Sequence, residues 1–133
     1  MTPATAEWEI TAMALSTTLI QVERDADVLI LVPRSSLSEL TYEQFASAVD
    51  ELFSSEPLPQ PLNIVLDFAE TEYFGSDVLS VLLRIWKRVC AARGRMALCN
   101  ISLHEQEILR LTRLDTLWQV CSSRNEAVDF VRG

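Results

Sequence analysis

A chain of 133 residues, 49% of them hydrophobic, has room for one domain around one core. Its formal charge of −8, a pI near 4.6 and a single lysine, Lys87, exclude a nucleic-acid surface, because neutralising phosphates takes clustered Lys and Arg. No apolar run reaches the roughly 20 residues that a membrane-spanning helix needs, and the start carries Glu7 and Glu9 instead of a basic n-region. The expectation is a cytoplasmic protein with no membrane contact. Cys90, Cys99 and Cys121 are odd in number and lack C-x-x-C pairing, so they are expected to be buried small apolar residues in a reducing compartment.

Residues 1–17 read as an N-terminal arm, with the folded domain expected over 18–133. Leu19 to Val22 and Val28 to Val32 are two β-like runs around the polar turn Glu23 to Asp27, which predicts an antiparallel pair. A helix is expected from Tyr42 to Phe53. Thr41 would cap it, Gln44 would complete a capping box, Leu40 and Phe45 have staple spacing, and Tyr42, Phe45, Val49 and Leu52, widened by Phe53, form the apolar stripe. Pro57, Pro59 and Pro61 make a stiff connector to a strand over Leu62 to Asp67, whose Ile64-Val65-Leu66 run suits a central strand covered on both faces.

A long helix is predicted from Asp77 to Arg93, apolar at Val78, Leu79, Leu82, Ile85, Trp86 and Val89, and polar at Ser80, Arg84, Lys87 and Arg88; Gly94 is the expected left-handed residue after it. Met96 to Cys99 follow as a strand. Ser102 with Glu105 opens another helix, Thr116 to Cys121 alternate as a last strand, and Ser123 with Glu126 opens a terminal helix. The fold class is α/β: a mixed, mostly parallel sheet of four to five strands packed with about four helices, in the order β-β-α-β-α-β-α-β-α.

The chemistry concentrates between Asp67 and Leu79. Gly75 is the only glycine there, which excludes a dinucleotide or Walker loop. Asp67 ends the strand as a carboxylate able to organise the loop, and Glu70 and Glu72 form an acidic rim. Ser76 stands at a helix entrance, where free backbone N–H groups and the positive dipole end favour an anion. Its hydroxyl has two uses, as the helix N-cap or as a phosphoacceptor. His104 is the sole histidine and has no companion suited to a triad or a metal site, so no enzyme activity, metal or cofactor is expected. Trp86 and Trp118 fall on apolar faces and are expected in the core.

Four segments match one pattern in order and spacing: Val65-Leu66-Asp67-Phe68-Ala69, Tyr73-Phe74-Gly75-Ser76-Asp77-Val78-Leu79, Arg93 to Asn100, and Ile108 to Leu114. Together, over residues 18–131, they resemble the STAS domain, the anti-sigma factor antagonist family. The resemblance implies that Ser76 is the phosphoacceptor and that Gly75, Ser76, Asp77, Val78 and Leu79 contact the partner, an anti-sigma factor with serine kinase activity. The unmodified domain would bind that partner and free a sigma factor, and the phosphorylated one would not. Departures are also plain. Gly75 replaces the family's Asp, Asp77 its Ser or Thr, Val78 its Gly, and Arg113 the Gly of Thr-Gly-Leu, which removes an easy left-handed helix ending. Val32-Pro33-Arg34-Ser35-Ser36 stands where Gly-x-Leu/Ile-Asp is expected. The alternative is a STAS-like scaffold or sensor that is not phosphorylated and binds a protein or small molecule through the same Gly75–Leu79 surface.

Overall fold

A computed structural model describes residues 20–25, 27–34, 39–54, 61–71 and 76–133. Five strands form one sheet in sequential order: β1 (Ile20–Asp25), β2 (Val28–Pro33), β3 (Asn63–Asp67), β4 (Met96–Cys99) and β5 (Gln119–Cys121). The helices are α1 (Glu39–Ser54), α2 (Ser76–Ala91), α3 (Leu103–Leu111) and α4 (Arg124–Arg132). β1 pairs antiparallel with β2, and β2 through β5 pair parallel. The fold is thus the α/β class and element order that the hydrophobic pattern predicts.

Sequential strand order decides the layers. Right-handed crossovers that step always in one direction carry their helices to one face. The core on that face joins Leu29 and Leu31 of β2 and Ile64 and Leu66 of β3 to Phe45, Val49, Leu52 and Phe53 of α1, to Val78, Leu82, Ile85 and Val89 of α2, and to Leu109 of α3. On the opposite face α4 covers Val28, Ile30, Val32, Val65, Ala97 and Cys99 with Ala127, Val128 and Val131. β3 lies in the middle and is buried along its whole length, so Ile64, Val65 and Leu66 are apolar on both faces, between the polar ends Asn63, whose Oδ1 accepts from the Arg95 N–H at 3.0 Å, and Asp67.

Several expected boundaries move. β1 continues through Glu23, Arg24 and Asp25, which pair with Ile30, Leu29 and Val28; an edge strand tolerates a charged, half-solvated stretch. α1 begins at Glu39, so Thr41 is inside the helix and is not its cap. An acidic residue in the first turn is favoured by the dipole. The side chains of the staple partner Leu40 and the stripe residue Tyr42, and the connector at Pro57 and Pro59, lie outside what is described, as do the arm at 1–17 and Leu19. The last strand starts only at Gln119, because Leu114–Thr116 form a 3₁₀ turn that brings Trp118 into the core at 4% exposure.

The end of α2 corrects the expected role of Gly94. Arg93 takes the left-handed conformation, at φ 58°. Its N–H donates to Cys90 O at 3.1 Å, and the Gly94 N–H donates to Val89 O at 2.9 Å, the bond pair of a Schellman ending. Glycine is required one residue later, where a β-carbon would lie 1.9 Å from Leu62 O. Arg113 likewise adopts φ 61° after α3, so that helix ends left-handed without the family's glycine. Ser102 and Ser123 cap α3 and α4 as expected, each accepting from the N–H three residues on at 3.2 Å. Cys99 and Cys121 are buried, but Cys90 is exposed. It is rotated about 100° from Val89, off the α2 seam.

Candidate functional site

Parallel strands align their carboxyl ends, and Asp67 occupies that end of the central strand, directly opposite Cys99 of β4. Its side chain is 4% exposed, so the carboxylate must find its partners inside the protein. It finds three. Oδ1 accepts from the Ala69 N–H at 3.0 Å and from Asn100 Nδ2 at 2.8 Å, and Oδ2 accepts from Arg124 Nε at 2.8 Å. Burial pushes the Asp67 carboxyl up, but the hydrogen bonds from Asn100, Arg124 and Ala69, with the Arg124 charge, outweigh it and hold the group below its ordinary value. Asp67 is therefore a buried, ionised hub.

Each partner has a local reason for its place. Asn100 ends β4 at φ 58°, a conformation that Asn tolerates better than most residues. Arg124 is the first residue of α4, directly after the Ser123 cap, so its guanidinium begins at the same end of the sheet. The fork of Arg124 serves two carboxylates: NH1 and NH2 donate to Glu23 Oε1 and Oε2 of β1 at 3.1 and 3.3 Å while Nε holds Asp67. Cys99 beside this hub is an inert thiol. Burial, and then the Asp67 charge, push it up to about 12.

The loop leaving β3 is anchored at several points. The Phe68 N–H donates to Cys99 O at 3.1 Å, the Thr71 N–H to Phe68 O at 3.0 Å, and Thr71 Oγ1 to Pro33 O at 2.7 Å. Phe68 is buried in the core, while Ala69 and Glu70 are exposed. Between this loop and the start of α3, an open groove of about 690 Å³ runs past Ala69, Thr71, Asn100, Ser102 and Gln106. This is the crevice at strand carboxyl ends where open α/β sheets usually take their ligands.

The expected site residues separate into three groups. Ser76 is the first residue of α2 rather than the residue before it, so its backbone N–H is among the first-turn donors without a helical partner. Gly75, with Glu72 of the acidic rim, lies outside the described residues, as do the side chains of Ser76 and Asp77. Val78 and Leu79 are 1% and 7% exposed and belong to the core, where their side chains hold α2 against the sheet. Asp67 was legible as a strand-end carboxylate. Asn100, Arg124 and Glu23 were not singled out in the sequence; the available signal was that a buried Asp67 demands a cation from another strand end. His104 is exposed, and Trp86 is half-buried against the core. Among the described residues no cluster of His, Cys, Asp and Glu is arranged to hold a metal ion, and no helix is long and apolar enough to cross a membrane.

Comparison with known proteins shows the family. The family model of the STAS domain matches residues 20–127, from the first strand into α4. The chain belongs to the STAS domain family. A Thermotoga neapolitana relative named as an anti-sigma factor antagonist homologue is 27% identical over 107 residues, 80% of this chain and 92% of that one. A Bordetella bronchiseptica relative bearing the anti-sigma factor antagonist name is 28% identical over 64 residues, and the match spans about half of each chain, 48% and 55%. The crystal structure of a Thermotoga maritima protein described in the same terms superposes with a TM-score of 0.77 at 24% identity, over 90% of this chain and 99% of that one, a likeness of fold. This STAS domain is an anti-sigma factor antagonist-like module.

Proposed function

We propose that this STAS domain acts as an anti-sigma factor antagonist: it docks on an anti-sigma factor with serine kinase activity through the surface around Gly75, Ser76 and Asp77 at the start of α2, and phosphorylation of Ser76 releases it. The observation that carries this reading is Ser76 opening α2 at the same end of the sheet as the buried Asp67 hub and the open groove. A phosphoserine brings about −1.5 to −2 charges. Free in solution, that charge is favourable at a helix N-terminus. In a docked interface it would have to be desolvated beside Asp77 and the acidic residue Glu70, which opposes binding.

Incubation with the anti-sigma factor kinase of the same organism and ATP tests the switch. The expected outcome is one phosphate added to wild type, none to Ser76→Ala, and loss of the complex on modification. An unmodified wild type would remove the phosphorylation step.

A second reading is favoured by Asp77, an acidic residue directly after Ser76 in the sequence and within the first turn of α2. In it, the domain is a STAS-like scaffold or sensor without phosphorylation, and Ser76→Glu binds its partner as wild type does.

A further inference from the structure

We infer that Arg124 is a positioning residue for the recognition surface: from α4, on the far face of the sheet, it fixes Asp67 and through it the turn at Phe68 and Ala69 that leads toward Ser76. This rests on the reading of Ser76 and its surroundings as the docking surface. The path consists of two hydrogen bonds to one carboxylate. Arg124 Nε holds Asp67 Oδ2 at 2.8 Å, and the other oxygen of the same carboxylate accepts the Ala69 N–H at 3.0 Å. Rotation of the carboxylate would break both bonds together. Asn100 on Oδ1 resists part of that rotation, whereas Oδ2 has Arg124 as its partner among the described residues.

Geometry explains why this position carries arginine. The guanidinium reaches two carboxylates on two strands, Asp67 of β3 and Glu23 of β1, with Nε directed to one and both terminal nitrogens to the other. Glu23 restrains the plane of the fork and so aims Nε. A lysine carries the charge but has a single ammonium with no fixed plane, and can hold Asp67 only as a point charge. The arrangement ties the first strand, the central strand and the last helix to one carboxylate at the start of the loop. A change at the C-terminal helix would therefore be felt at the docking surface although α4 and α2 lie on opposite faces.

Hydrogen exchange and partner binding, measured on wild type, Arg124→Lys and Arg124→Gln, test the assignment. The Ala69 amide should exchange about tenfold faster in Arg124→Gln, the size of one lost charge-assisted hydrogen bond, and by an intermediate factor in Arg124→Lys, while the β4 amides of Ala97 and Leu98 keep wild-type protection. Arg124→Lys retains the charge opposite Asp67 and so provides a folded variant if Arg124→Gln does not fold. Affinity for the anti-sigma factor kinase of the same organism should fall in the same rank order. Wild-type exchange at Ala69 in the Lys variant and in any folded Gln variant would overturn the inference, and so would acceleration spread equally over Ala69 and β4. Failure of wild type to bind that kinase contradicts the proposed function instead, while the exchange comparison still decides what Arg124 does.

Discussion

Asn100 and Asp67 stand 33 positions apart in the chain and are joined by a 2.8 Å hydrogen bond, Nδ2 to Oδ1, between the ends of neighbouring strands. The left-handed backbone of Asn100 ends β4 and turns its amide to the carboxylate. That bond, with those from Arg124 and Ala69, keeps Asp67 charged in a buried position.

A pH dependence follows. The folded Asp67 carboxyl is depressed below its ordinary value of 3.8, and so contributes stability that is fully present above that value and lost as the pH falls through the lower folded value. Urea unfolding of wild type and Asp67→Asn between pH 7 and pH 3 checks this. Wild type should be more stable by about 2 kcal/mol at pH 7, where Asn leaves Arg124 without its buried partner, and the gap should narrow toward the acid end. A gap independent of pH would mean that the Asp67 charge has no part in folding.

Opposite outcomes are expected at two helix endings. Gly94→Ala sets a β-carbon against Leu62 O and should destabilise by about 1–3 kcal/mol. Arg113→Gly relieves a left-handed non-glycine residue and should be neutral or stabilising by up to about 1 kcal/mol, the steric gain being partly offset by unfolded-state entropy. Thermal midpoints of the two variants make the comparison.

Thiol reactivity should divide the cysteines. Native protein at neutral pH should react quickly with a thiol reagent at Cys90, which is exposed, and slowly at Cys99 and Cys121, which are buried and whose thiols burial pushes up. Counting modified sites by mass before and after unfolding decides it. Fast native labelling at Cys99 would contradict the packing of α4 on the sheet.

The fold was largely legible because the chain's apolar periods are clean. Ile64-Val65-Leu66 announced a strand buried on both faces, and the positions from Val78 to Val89 announced a helix with one buried stripe. The misplacements have local causes. Gly94 looked like a left-handed cap, yet the close approach of Leu62 is a tertiary fact that puts the glycine one position later. Cys90 looked buried because its neighbours are apolar, but one residue of rotation takes it to solvent.

The site was legible only where one segment carries it. Asp67 and Ser76 lie within a single strand–loop–helix. The hydrogen bonds that complete the hub join positions separated by 33, 57 and 101 residues, and no periodicity reports such pairs. The same sequence pattern that drew attention to Val78 and Leu79 as contact residues also made them the first core positions of α2, and both are buried there.

The most direct test of the switch is equilibrium binding of wild type and Ser76→Glu to the anti-sigma factor kinase of the same organism. The account predicts a complex with wild type and at least about tenfold weaker binding for Ser76→Glu, as expected when a charge must be desolvated at the interface. Equal affinity of the two proteins would contradict it.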